Sequence, residues 1–167
     1  MFLKTPRMLL VPLSWKELEL LLDEPIKFSS ATGMMYHGER IEGAIRRVYA
    51  DALRVLRRDS SLKEFYQVWV LLLPSKSTII GSILIKGLPD EHDLVEIGYG
   101  LHSDYFGKGL MTEAVEVFCR HIRTIRGVKG IIAETNKTNI ASQRVLEKNR
   151  FYVERKTKTA YWYRQLE

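Results

Sequence analysis

The decapeptide Tyr105-Phe106-Gly107-Lys108-Gly109-Leu110-Met111-Thr112-Glu113-Ala114 is the first stretch of this sequence with the makings of a chemical site. Its two glycines let backbone approach a ligand closely. It reads as the entry to a helix, where the first N–H groups lack partners and the dipole adds positive potential. Lys108 adds a point charge. Together these make a pyrophosphate cradle in physical terms, although Gly-Lys-Gly by itself reads equally as an ordinary strand-to-helix turn. It is not a Walker loop, which needs Gly-Lys-Ser/Thr after four spacer residues. Nor is it the Gly-x-Gly-x-x-Gly dinucleotide fingerprint, because Thr112 stands where the third glycine would fall.

A second group follows in Asn139-Ile140-Ala141-Ser142. Asn139 and Ser142 lie three apart and share one face near a helix start. Asn139 could instead be a plain N-cap, and Ser142 could simply satisfy first-turn amides. Cys119 is the single cysteine, so internal disulfides and cysteine metal clusters are excluded. On a helix it reads as a small buried hydrophobe rather than a nucleophile. His37, His92, His102 and His121 show no metal-ligand spacing, so no metal is expected.

These groups need a scaffold. The 167 residues suit one domain, 1–167, and the mix of 46% hydrophobic and 28% charged residues excludes a disordered chain. Lys and Arg outnumber Asp and Glu by 26 to 20, a net +6, which favours an anionic partner such as nucleic acid, a membrane surface or a phosphorylated cofactor. Apolar runs are too short to span a bilayer, and no secretory signal is read, so a soluble cytoplasmic protein is expected.

The patterning predicts a mixed α/β sheet. A short strand over 7–11 precedes a helix opened by the capping box Ser14-x-x-Glu17. Residues 24–38 carry loop signals. A helix over 41–58 has an arginine-rich outer face. Strands over 65–73 and 78–85 form a hairpin. Strand 94–101 alternates cleanly: Val95, Ile97, Tyr99 and Leu101 face one way, Glu96, Gly98 and Gly100 the other. That second face is nearly bare, leaving room for something else against the backbone. A helix over 108–126 ends at Gly127. A strand over 128–134, a helix over 139–149 with Ala141, Val145 and Leu146 inward, and strands over 151–155 and 159–164 complete the chain.

Taken together, Glu96-Ile97-Gly98-Tyr99, Phe106-Gly107-Lys108-Gly109-Leu110-Met111-Thr112-Glu113-Ala114 and Asn139-x-x-Ser142-x-x-Val145-Leu146-Glu147-Lys148 resemble the motifs of the GNAT superfamily of acetyl-CoA-dependent N-acetyltransferases. Thr5-Pro6-Arg7-Met8-Leu9-Leu10 resembles the start of the branch that acetylates ribosomal-protein N-termini. The resemblance implies a GNAT-like mixed central sheet, splayed between its two central parallel strands and flanked by about four helices. It implies acetyl-CoA as co-substrate, with Ile97, Gly98 and Tyr99 meeting the pantetheine arm. The amides of Gly107, Lys108, Gly109, Leu110 and Met111, continued at Thr112, would hold the pyrophosphate, and Asn139 would bind pantetheine or phosphate. Ser142 would protonate the leaving thiolate, and Glu96 would be the base that accepts the amine proton. The partners implied are CoA and a primary amine, either a peptide N-terminus or a small molecule. No membrane partner is expected, nor nucleic acid beyond ribosome association. A homodimer is plausible.

The sequence departs from the family at Phe106, Met111, Leu146 and Arg150. Leu146 stands where some members carry a tyrosine acid, and Arg150 where a glycine usually precedes the phenylalanine. Glu96 could instead be a structural carboxylate paired with a nearby Lys or Arg. Three readings of the whole stay open: a transferase, a silent CoA-binding module, which the missing tyrosine and Arg150 would suit, and a basic RNA-binding protein. Tyr161-Trp162-Tyr163 could line an acceptor pocket or a dimer interface, or cover sheet surface.

Overall fold

The computed structural model describes residues 1–165. Its order is β1 (Leu3–Lys4), β2 (Leu9–Pro12), α1 (Trp15–Asp23), α2 (Pro25–Thr32), β3 (Met35–Tyr36), α3 (Gly43–Arg58), α4 (Lys63–Tyr66), β4 (Val68–Leu73), β5 (Thr78–Ile85), β6 (Leu94–Leu101), α5 (Leu110–Ile122), β7 (Gly130–Asn136), α6 (Ile140–Lys148), β8 (Phe151–Lys156) and β9 (Ala160–Gln165). The sheet runs β1-β2-β4-β5-β6-β7-β9-β8, with β3 beside β5.

Alternation along the central strands builds two cores. Val68 and Val70 of β4 pack with Leu18 and Tyr49 under α1–α3, while Trp69 and Leu71 pack with Phe118 and Ile122 under α5. All eight residues of β5 are buried because both faces are covered. The capping box forms as expected: Glu17 N–H donates to Ser14 Oγ, and Ser14 N–H donates to Glu17 at 2.7 Å.

Several boundaries differ from the sequence reading, each for a local reason. Residues 24–38 hold a helix: Pro25 opens α2 at its first position and Gly33, at φ +71°, caps it. The proline and glycine that read as loop signals are its two ends. Phe65 and Tyr66 belong to a helical turn, not to a strand, because Asp59 caps the preceding turn by accepting from Ser61 N–H at 2.9 Å. α5 stops at Ile122, and Gly127 (φ +87°) closes a later turn in which Thr124 Oγ1 donates to the His121 carbonyl. In α6 Leu146 is buried and Val145 packs against the core as expected, while Ala141 is exposed. Arg150 takes φ +62°, so the turn before β8 keeps the left-handed shape that a glycine would adopt freely.

The arginine face of α3 is tied down. Arg46 bonds Asp23 at 3.0 Å and Arg57 bonds Glu19 at 2.7 Å, both across to α1. Trp162, central in the aromatic run, carries Arg155 over its ring at 4.8 Å, and Tyr163 is core. Among the described residues no helix is long and apolar enough to cross a membrane.

The feature that makes a site is a failure of pairing. β6 and β7 run parallel and pair only at Leu94↔Gly130, Val95↔Ile131 and Glu96↔Ile132. Beyond Glu96 each strand follows its other neighbour, β6 pairing β5 through Leu101 and β7 pairing β9 through Asn136. The splay expected between two central parallel strands is present.

Candidate active site

The Gly-Lys-Gly turn leads into α5 as the sequence implied. Gly107 and Gly109 take φ +72° and +74°, the left-handed region that glycine enters without cost. Gly109 is the N-cap of α5 and provides no side-chain cap, which leaves the first amides of the helix for a ligand. A Cβ at Gly107 would meet nothing within 4 Å, so the loop faces open space. The loop is braced from behind by Arg7, whose guanidinium donates to the Lys108 carbonyl at 2.8 Å and to Glu113 Oε1 at 2.7 Å. Lys108 itself folds back: its Nζ donates to the Asp104 carbonyl at 2.8 Å and lies over the Tyr105 ring. The cradle is therefore backbone.

This loop borders a cavity of about 350 Å³ whose lining includes Gly107, Gly109, Leu110, Met111 and Thr112. Met111 buries its side chain in the core and turns only its backbone to the site. Arg144 and Lys148 complete the basic end from α6. The sequence reading did not single them out, though an i, i+4 basic pair beside Val145 was there to see.

A second cavity of about 300 Å³ lies on the other side of the splay, under α3, with Ile97, Gly98 and Ser82 in its wall. The two cavities share Glu39, Tyr99, Gly100, Asn139 and Ser142. Asn139 does cap α6, accepting from Ser142 N–H at 3.0 Å through Oδ1, and its Nδ2 remains for a ligand. Tyr99 Oη lies 2.9 Å from Ser142 Oγ. Burial raises the Tyr99 pKa, so its phenol stays protonated and able to donate. Leu146, where some relatives of the motif have tyrosine, is buried in the core. Here a tyrosine hydroxyl reaches the cleft from β6.

Glu96 lies elsewhere. Its carboxylate is 2.5 Å from Lys86 Nζ, and it lines a third cavity of about 630 Å³ with Trp162, Arg155 and Glu154, away from Ser142. The bare face of β6 is in fact covered: added Cβ atoms at Gly98 and Gly100 would strike the side chains of Lys86 and Glu39. Glu39 was missed by the sequence reading because it lies in an irregular stretch 61 positions before Gly100. Cys119 is 2% exposed, and burial pushes its thiol pKa up to about 12, so it is no nucleophile. His37 and His102 meet at Asp104, with the His37 Nε2–Asp104 Oδ2 distance 3.1 Å, a grouping invisible in the spacing of the histidines.

A left-handed glycine cradle at a helix start, bordering a cleft between two parting parallel strands, is the arrangement the GNAT motifs implied. Residues 7–152 match the acetyltransferase (GNAT) domain family. The chain belongs to that family. An N-acetyltransferase of Bacillus subtilis (strain 168), YjdG, is 27% identical over 103 residues, covering 62% of this chain. The chain spans 61% of the length of that curated relative. Among solved structures, RimL, a ribosomal L7/L12 α-N-protein acetyltransferase in complex with coenzyme A, superposes at TM-score 0.70 with 13% identity, over 99% of this chain and 98% of its own. The ribosomal-protein-S5-alanine acetyltransferase of Vibrio fischeri gives TM-score 0.70 with 17% identity, covering 99% and 96%. At such identities the GNAT likeness is one of fold.

Proposed function

We propose that this GNAT protein transfers an acetyl group from acetyl-CoA to a primary amine, by direct attack while both are bound. The observation that carries the reading is the meeting of two cavities through the splay at Tyr99, Asn139 and Ser142, one of them floored by unpaired helix amides. The residues present fit the co-substrate. Gly107 and Gly109 present backbone without side chains, the amides of Leu110, Met111 and Thr112 offer N–H groups to a pyrophosphate, and Arg144 and Lys148 supply positive charge. Acetyl-CoA supplies the acetyl group in thioester form, already activated toward an amine.

In this reading Asn139 Nδ2 and the backbone of Ile97, Gly98 and Tyr99 position the arm that carries the thioester. The freed β6 amides beyond Glu96 are placed to stabilise negative charge on the carbonyl oxygen. Tyr99 Oη and Ser142 Oγ are 2.9 Å apart, and where Tyr99 is the donor of that pair the Ser142 hydroxyl proton points into the cleft toward a departing thiolate. The amine enters from the α3 side and loses its proton to a carboxylate on the Glu96–Gly98–Gly100 face of β6.

The class of acceptor follows from acid–base arithmetic. An α-amine with pKa near 7.8 costs about 1 kcal/mol to deprotonate at pH 7, and a lysine ε-amine near 10.4 costs about 4–5 kcal/mol. An α-amine, which needs only a weak base such as a carboxylate, is the better acceptor, in keeping with the α-N-protein substrate named for RimL. The test is calorimetric titration with acetyl-CoA, then thiol release with peptides starting in alanine or serine and with Nα-acetyl-lysine. Micromolar binding with faster release for the peptides is expected. Binding without transfer to any amine would leave a silent CoA-binding module instead.

A further inference from the structure

We propose that Glu39, not Glu96, receives the acceptor amine in the cleft and takes its proton. This rests on the transferase reading above and names a catalytic residue within it.

Placement is the first support. Among the described residues Glu39 is the one carboxylate that lines both cavities. Its side chain lies against the backbone of Gly100, where a Cβ would collide with it. Gly100 follows Tyr99, whose hydroxyl holds Ser142. The carboxylate therefore stands at the junction, across β6 from the groups that would meet the thiolate.

Availability is the second. Among the described residues the Glu39 carboxylate makes no hydrogen bond and no ion pair. Its backbone, by contrast, is fixed, since Tyr36 Oη donates to the Glu39 carbonyl at 2.8 Å. Glu96 has the opposite character, committed to Lys86 at 2.5 Å and lining the outer cavity only. A carboxylate whose oxygen is taken up by an ammonium is not open to an incoming amine.

Charge surroundings agree. The groups facing Glu39 are Tyr36 from the β3 segment, Tyr49 from α3 and His102 at the end of β6. Burial raises the Glu39 pKa above the ordinary carboxylate value, partly opposed by His102. A raised pKa makes the carboxylate a better base near neutral pH. The phenols of Tyr36 and Tyr49 are themselves raised, Tyr49 to about 12, so both stay neutral beside it.

The step balances simply. The amine nitrogen forms the new C–N bond as the C–S bond breaks. The electron pair of that bond leaves on sulfur, the amine proton goes to Glu39, and Ser142 donates toward the thiolate.

The test compares Glu39→Gln, Glu39→Asp and Glu96→Gln with wild type, using acetyl-CoA and an alanine-initiated hexapeptide from pH 5 to 9, with melting temperature as a folding control. Glu39→Gln should lower kcat/KM about 100-fold. Its acetyl-CoA Kd should stay within twofold. Every variant keeps the limb of the pH profile set by the amine's own ionisation, at about pH 7.8. The separate, lower limb that falls as Glu39 protonates, above pH 4.5, should vanish in Glu39→Gln. Glu39→Asp should recover part of the rate and the lower limb. Glu96→Gln should keep the lower limb. If Glu39→Gln keeps the lower limb and a kcat/KM within threefold, or Glu96→Gln removes the lower limb instead, the assignment is wrong. Acetyl-CoA binding without transfer by wild type overturns the transferase reading, and this one with it.

Discussion

The two sides of the cleft are built from different materials. The side toward the Gly-Lys-Gly turn is backbone: glycines at φ +72° and +74°, an uncapped helix start, and a lysine folded away. The side under α3 is made of side chains from distant segments, with Glu39 laid over Gly100 and Tyr49 donating to Ser82 Oγ at 2.5 Å. A backbone site tolerates many side chains and fails when the chain path changes. A side-chain site fails at single functional groups and keeps its shape. In the proposed reading the first side would take the co-substrate and the second the acceptor amine.

Substitutions can separate the sides. The largest effect is expected on the acceptor side, where Glu39→Gln should cost the acceptor kinetics and not the acetyl-CoA affinity. Next comes Gly109→Val on the cradle side. A β-branched residue at φ +74° is strained by about 2 kcal/mol, so the free loop relaxes away from the cradle shape and binding must restore it. Calorimetry should show acetyl-CoA affinity falling roughly 30-fold, at 1.4 kcal/mol per tenfold. Unchanged affinity would mean that the cradle lies elsewhere.

Tyr99→Phe keeps the ring and removes the hydroxyl that holds Ser142. About 1 kcal/mol of orientation is lost, so kcat should drop roughly fivefold with acetyl-CoA binding intact. Ser142→Ala should give a comparable loss, and the double variant no more than either alone, because the two hydroxyls act as one unit. Additive losses would separate them.

Lys108→Ala should change acetyl-CoA affinity by no more than about threefold, since its ammonium is exposed and turned to the Asp104 carbonyl. A tenfold loss would show that the cradle depends on a side chain after all, and would erase the contrast. Smallest of all, Arg150→Gly relieves a left-handed arginine at the exit of α6. It should raise stability by about 0.5 kcal/mol in urea unfolding, the gain being offset by glycine's greater freedom in the unfolded chain.

Much of this protein was legible along the chain because its governing interactions are local. The Ser14–Glu17 box, the alternation of β6 and the glycine turn before α5 each span a few residues, and each formed as read. Even the misplaced boundaries at Pro25, Gly33 and Gly127 were errors of interpretation over residues that do punctuate the chain. The family followed from three such segments in order.

What only the tertiary structure decided concerns partners far apart in sequence. Alternation places Glu96 on the same face of β6 as Gly98 and Gly100, yet cannot show that Lys86, just past the end of β5, claims it. Tyr99 read as backbone contact until α6 brought Ser142 to its hydroxyl. Glu39 lies in a stretch with no periodicity, and it becomes a candidate base only because α3 and β3 fold that stretch onto β6. Local sequence sets the path of the backbone, and so sets the cradle. Which carboxylate is free and which is paired depends on desolvation and charge contacts across the sheet, and these exist only once the strands have found their neighbours.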